Sequence, residues 1–197
     1  MTGCSVVGQS DVENAPYTLL KADIEKNIEV RNYESMVLVS TSMASDGQNN
    51  AFRKLFKYIT GENKGSAEIA MTAPVIMNDG NGAQEGAEIA MTAPVFMNEN
   101  NEESVMSFVM PKHFTLEKTP VPTNPDVWVE AVENYKVAAI KFSGTLSDSN
   151  VEENTSVLVD WLSENGYTIA GAPLKAGYNG PLTIPMFRRN EVLIEIN

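Results

Sequence analysis

The order of strand-like and helix-like segments narrows the fold of this chain more than any other feature. Residues 28–33 and 35–43 alternate apolar and polar side chains in the manner of half-buried strands, with Val30, Met36 and Leu38 among the apolar set. The period then changes. Over residues 47–58, Phe52, Leu55, Phe56 and Ile59 recur at three- and four-residue spacing with Arg53, Lys54 and Lys57 between them, which predicts an amphipathic helix ended by Gly61. Strands follow it. The second half runs the same way, with strands over 127–132 and 136–142 around a turn at Glu133-Asn134-Tyr135. A helix over 151–163 presents Val157, Leu158, Trp161 and Leu162 on one side and stops at Asn165-Gly166, and strands over 167–175 and 191–196 complete the chain. Strand-strand-helix-strand-strand, twice over, predicts an α+β fold with a pseudo-twofold duplication and mainly antiparallel pairing.

The two halves meet at Thr119-Pro120-Val121-Pro122-Thr123-Asn124-Pro125, where three prolines in seven residues make an extended, stiff crossover rather than a floppy linker. One domain over 17–197 is expected, preceded by a flexible tail over 1–16. A literal repeat lies within the first half: Ala-Glu-Ile-Ala-Met-Thr-Ala-Pro-Val occurs at 67–75 and again at 87–95. Two copies are too few for a solenoid, and Asn78-Asp79-Gly80-Asn81-Gly82 between them is a turn signal, so the pair reads as two strands joined by a loop. Proline cannot donate to a ladder, which sends Pro74 and Pro94 to an edge, a bulge or a strand end.

Composition excludes more than it identifies. A formal charge of −12 repels phosphate backbones, which argues against nucleic acid as a partner. The longest apolar runs are short and strand-like, far below the ~18 residues of a membrane-spanning helix. The single histidine, His113, leaves no multi-histidine metal site, and no Gly-x-Ser-x-Gly elbow or phosphate loop is present. Carboxylates cluster in polar loops and helix starts, as on a solvated surface. The single cysteine, Cys4, forbids an internal disulfide. Thr2-Gly3-Cys4 resembles the end of a bacterial lipobox, so Cys4 reads either as a lipidated residue of an envelope or periplasmic protein or as an incidental thiol, with a cytoplasmic location in the second case.

What remains is apolar and polarizable. Met36, Met43, Met71, Met77, Met91, Met97, Met106, Met110 and Met186 fall mostly in strand-like segments, where thioethers fill irregular core gaps or line a pocket for a flat apolar ligand. His113 follows a strand in a loop and reads as a surface or capping residue or, alternatively, as an axial metal ligand. This residue set argues against a Ser-His-Asp or Cys-His enzyme and leaves a non-catalytic binding protein, an enzyme of another kind and a small-molecule or protein interaction module as the open readings.

The segment Ala51-Phe52-Arg53-Lys54-Leu55-Phe56-Lys57-Tyr58-Ile59-Thr60-Gly61, the Ala-Met-Thr-Ala-Pro-Val motifs at 70–75 and 90–95, and Ser107-Phe108-Val109-Met110-Pro111 resemble the SOUL haem-binding protein family. So do Trp161-Leu162, Asn165-Gly166-Tyr167 and the ending Pro185-Met186-Phe187-Arg188-Arg189-Asn190-Glu191-Val192. The resemblance runs from about Tyr17 to Ile196. It implies a distorted antiparallel β-barrel with two helices, related to bacterial effector-binding domains, that binds haem b or another porphyrin in an apolar groove. It places Phe52, Arg53, Phe56 and Lys57 of the first helix in that groove, with Met71 and Met91 on its wall and Arg188 and Arg189 as candidates to meet propionates; neighbours on a strand point to opposite faces, so at most one of the two faces the ligand, and the alternative is that they pair with strand carboxylates such as Glu191 or Glu195. The axial histidine of some animal relatives lies ahead of the first helix, and this chain has none there. Either binding is apolar and propionate-led, or a methionine or tyrosine ligates the iron, or the ligand is not haem.

Overall fold

The computed structural model describes residues 13–43, 47–64, 92–98, 104–179 and 183–197, with 92–98 described through their backbone. In chain order the elements are strands β1 (Glu13–Asn14), β2 (Thr18–Asp23) and β3 (Ile28–Ser42), helix α1 (Gly47–Ile59), and strands β4 (Asn63–Lys64), β5 (Thr92–Asn98) and β6 (Val105–Val109). Then come β7 (Val121–Pro122), β8 (Val127–Phe142), helix α2 (Asp148–Glu164), β9 (Leu174–Gly177) and β10 (Asn190–Glu195), with short 3-10 turns at Leu116–Lys118 and Pro185–Phe187. The protein is α+β: two helices pack on a mainly antiparallel sheet ordered β1-β5-β6-β3-β8-β10-β9, with β2 alongside β3. No helix among the described residues is long and apolar enough to cross a membrane.

The sheet is curled so that its two flanks touch, but only through Val95↔Gly177, Phe96↔Ala176 and Met97↔Lys175. The expected distorted barrel is therefore not closed, because β9 is four residues long and offers β5 no further edge. One pairing, β1 with β5, is parallel. Pro94 lies where the β5–β6 register shifts between Thr92 and Val95, a bulge that spares the ladder the missing proline N–H.

The centre of the sheet corrects the sequence reading. Residues 28–33 and 35–43 form one strand, and 127–142 another, paired from Ile28↔Ile140 to Thr41↔Val127. What the sequence presents as a turn at 133–135 is a change of phase within the ladder. Glu34 and Ser35 are both exposed, and Asn134 opposite has φ 52°. Strict alternation would separate Tyr33 from Met36 and Leu38, yet all three pack in one cluster on the inner side of the sheet with Val137, Ala139 and Leu193. Beyond the slip, Val37 and Val39 meet α1; before it, Ile28 and Val30 meet α2.

Helix α2 starts three residues earlier than expected and ends where expected. Gly166 has φ 73°, and the Gly166 and Tyr167 amides donate to the Ser163 and Leu162 carbonyls, a Schellman stop. The proline-rich crossover is extended and pinned rather than free: β7 pairs with β4, and the Thr123 hydroxyl donates to the Glu62 carbonyl at 2.9 Å. Of the methionines, Met36, Met43, Met106 and Met110 are core residues. Met71, Met77, Met91, the first copy of the repeat, its turn at 78–82 and Cys4 lie outside the described residues.

Candidate functional site

Helix α1 turns a different stripe inward from the one its spacing first suggests. Ala51, Leu55, Tyr58 and Ile59 are buried against β3 and β6, each large apolar side chain contributing about 1.5–3 kcal/mol by leaving water. Tyr58 accommodates its hydroxyl there by donating to the Pro120 carbonyl at 2.7 Å, and burial pushes its pKa up. The neighbouring stripe, about 100° round the helix, carries Phe52 and Phe56. Their rings stack with centroids 6.1 Å apart and planes 15° apart, and they remain 39% and 40% exposed. Phe52 also meets the edge of Phe108 in the core at 5.4 Å, which fixes the pair as a rigid ridge. Arg53 is exposed beside it, while Lys57 pairs with Glu62 at 3.2 Å.

A second feature forms around the Pro185–Phe187 turn. A cavity of about 400 Å³ is lined by Asn27, Lys141, Phe142, Ser143, Met186, Phe187, Arg188 and Arg189. That volume lies near the small end of the ~300–1,000 Å³ typical of ligand pockets. The Gly144 amide donates to the Pro185 carbonyl at 2.9 Å, tying this turn to the β8–α2 loop. Leu146 of the same loop packs against the apolar clusters around both helices. No residue of α1 lines the cavity.

Behind the cavity lies a buried ionic network. Arg31, fully buried on β3, donates to both oxygens of the equally buried Glu191 at 2.6 and 2.9 Å, the two-pronged geometry a guanidinium favours. Tyr178 donates to Glu191 at 2.7 Å, and Arg189 reaches the same carboxylate at 2.6 Å while lying over the Tyr178 ring. The Arg31 Nε donates to Glu29 at 2.8 Å, and Glu29 is bonded in turn by Lys141. Burial raises the Glu29 carboxyl, but Lys141 and Arg31 outweigh it and hold the group at about 2. Glu191 is likewise pushed up by burial and held below the ordinary carboxylate range by Arg31, Arg189 and Tyr178.

The residues expected from the sequence thus fall in separate places. Phe52, Arg53, Phe56 and Lys57 share the outer side of α1. Arg188 and Arg189 line the cavity, with the Arg188 Nε donating to the Thr183 carbonyl at 2.7 Å and Arg189 held by Glu191. Met71, Met91 and Cys4 lie outside the described residues. His113 sits on an exposed turn after β6 with its ring 4.5 Å from that of Phe114. Among the described residues no group of three or more His, Cys, Asp or Glu side chains could hold a metal ion. Among the described methionines Met186 lines the cavity, 68% exposed. Sequence reasoning missed Lys141, Asn27 and Phe142. The lysine that interrupts the apolar run 137–142 was the available signal for the first.

Comparison with known proteins adds to this geometry. A family model described as SOUL heme-binding protein matches residues 12–85 and 77–195. Heme-binding protein 2 of Homo sapiens is 30% identical over 178 residues, covering 86% of this chain and 78% of that protein. Heme-binding protein 1 of Xenopus laevis is 25% identical over 168 residues, covering 83% of this chain and 80% of its own length. In fold alone, the C-terminal domain of EcmrR is similar, with a TM-score of 0.55 at 11% identity over 86% of this chain and 96% of that one.

Proposed function

The chain belongs to the SOUL heme-binding protein family, and from that premise we propose that it binds haem or a related tetrapyrrole without transforming it, as a carrier, buffer or scavenger. The observation that carries this reading is the stacked Phe52–Phe56 pair, held against the core by Phe108 and left partly open to solvent. A flat macrocycle lies against such a ridge by apolar contact and offset stacking. In this reading its propionates meet cations of the cavity wall, among Lys141, Arg188 and Arg189. Haem b, with two propionates, fits that arrangement. No axial ligand is required for it, in keeping with the position of His113.

Two groups could serve a tetrapyrrole-modifying enzyme, and neither is well placed. The Tyr58 hydroxyl is buried and donated to a carbonyl, and His113 is on the exposed turn after β6. The carrier reading is therefore preferred.

Titrating haemin into the protein tests it. A saturable Soret shift with one-site stoichiometry is expected, and Phe52→Asp and Phe56→Asp should each weaken binding about tenfold or more, since each loses an apolar contact. Unchanged affinity in both variants sinks the ridge assignment. Bands of a metal-free or ring-opened product on prolonged incubation overturn the non-catalytic part.

A further inference from the structure

Strand β5 lies between two neighbours, β6 on one edge and β9 on the other across residues 95–97, and so joins the two flanks of the sheet. Its sequence is written twice in the chain. Residues 67–78 and 87–98 agree at every position but one, where Ile76 stands in place of Phe96. Residues 72–78 therefore repeat Thr92–Asn98, and Pro74 repeats the Pro94 that lies at the register shift between Thr92 and Val95. A strand of that sequence brings the same bulge, and isoleucine suits a strand as well as phenylalanine does. Each of the two overlapping stretches that match the family model, 12–85 and 77–195, contains one complete copy.

We propose that the slot between β6 and β9 accepts either copy, so that the protein exchanges between two registers in which 92–98 or 72–78 forms the fifth strand. The exchange keeps the partners of the slot, Val105 to Val109 on β6 and Lys175 to Gly177 on β9. What changes is the chain on either side. With 92–98 in place, 27 residues (65–91) lead in from β4 and six (99–104) lead out to β6. With 72–78 in place, seven (65–71) lead in and 26 (79–104) lead out. Closing each pair of links costs nearly the same entropy, a factor of about 1.2 between the two arrangements. With ladder, bulge and closure alike, the two registers lie close in free energy and both are populated. The switch carries 20 residues from one end of the sheet to the other. They join the link whose Ser104 carbonyl accepts from the Met43 amide at the approach to α1. Neither register draws on the cavity or on the α1 ridge, so the exchange stands whether or not haem binds.

Prolines placed in each copy test it. Phe96 pairs with Ser107 on one edge and Ala176 on the other, so its N–H belongs to the sheet and a proline there breaks the ladder. The stability of full-length Phe96→Pro, Ile76→Pro and the double variant is read from urea unfolding. Each single variant should lower the folding constant by about tenfold at most, because the intact copy takes the slot. The double variant should lower it by about a hundredfold or more, beyond the product of the singles. A single variant as costly as the double means that the slot belongs to one copy and overturns the inference, as does a double variant no worse than the product of the singles. Disulfide trapping in Cys4→Ser protein checks the same point without breaking a strand. Ser107→Cys should form a bridge with Phe96→Cys and likewise with Ile76→Cys, since directly opposed strand residues lie within disulfide reach. With Val75→Cys, one residue out of step, the bridge should form much more slowly. A bridge to Phe96→Cys alone, or equal rates for Ile76→Cys and Val75→Cys, overturns the exchange.

Discussion

Replacing Glu191 by glutamine keeps the shape of the side chain and removes its charge at the most enclosed point of the molecule. The carboxylate accepts from Arg31 at 2.6 and 2.9 Å, from Tyr178 at 2.7 Å and from Arg189 at 3.0 and 2.6 Å. All of these partners donate. An amide keeps one acceptor oxygen and puts N–H groups where the other was, so whichever way it is turned a donor faces a guanidinium. Arg31 is fully buried and cannot turn to water for compensation. Breaking a buried pair from one side costs about 3–5 kcal/mol, a large share of the roughly 5–15 kcal/mol that holds a domain together. At about 2–4 °C per kcal/mol for a chain of this size, Tm should fall by about 6–20 °C. Far-UV circular dichroism during urea and thermal unfolding reads the loss. Arg31→Met with Glu191→Leu should cost less than Glu191→Gln alone, because no buried charge is then orphaned and Arg189, 37% exposed, can turn to solvent. A loss under about 1 kcal/mol for Glu191→Gln, or a double variant that loses the full sum of the singles, refutes the reasoning.

Acid should weaken the fold in a definite window. The Glu29 carboxyl lies at about 2 in the folded chain against an ordinary value of 4.5, so its contribution is complete above that ordinary value and is lost as pH falls from about 4.5 toward about 2. Glu191 shifts in the same direction; urea midpoints should drop across that range, and Glu29→Gln should flatten its share of the drop. Gly166 tests the stop of α2: a Cβ there meets nothing within 4 Å, so Gly166→Ala costs only the left-handed backbone at φ 73°, about 1–2 kcal/mol or about 2–8 °C in Tm. Asparagine at that position should cost less, and an alanine variant as stable as the parent means that the left-handed cap is absent.

The features that sequence reading captured are those decided by local chemistry. The end of α2 needed only Asn165-Gly166, and the bulge at Pro94 needed only the missing N–H of proline. The strand centres were misread for a physical reason. A slip of phase at Glu34-Ser35 and a reversal of direction both interrupt alternation, and only the partner strand, paired continuously past Asn134, tells them apart. The inward stripe of α1 was half misread in a similar way. Phe52 and Phe56 satisfy helical spacing as well as Ala51 and Leu55 do. What decides between them includes the carbonyl of Pro120, 62 residues from Tyr58, where the hydroxyl can be buried without loss. Lys141 stayed hidden because its place in the site depends on three chain segments, around residues 27, 141 and 186–189, meeting at one end of the sheet.

The adjacent arginines at the head of β10 divide two tasks, and that division sets how the cavity can respond to an anion. Arg189 is held by Glu191, which also balances the buried Arg31, so an anion that drew Arg189 away would strip charge from the core. Lys141 is in a different position. If it turns toward a carboxylate in the cavity, Glu29 keeps the Arg31 Nε and the Tyr17 hydroxyl, at 2.8 and 3.1 Å. The core therefore tolerates the loss of Lys141 better than the loss of Arg189. Carboxylate binding through Lys141 leaves the Arg31–Glu191 pair intact, whereas a ligand that required Arg189 would lower the stability of the fold that holds it.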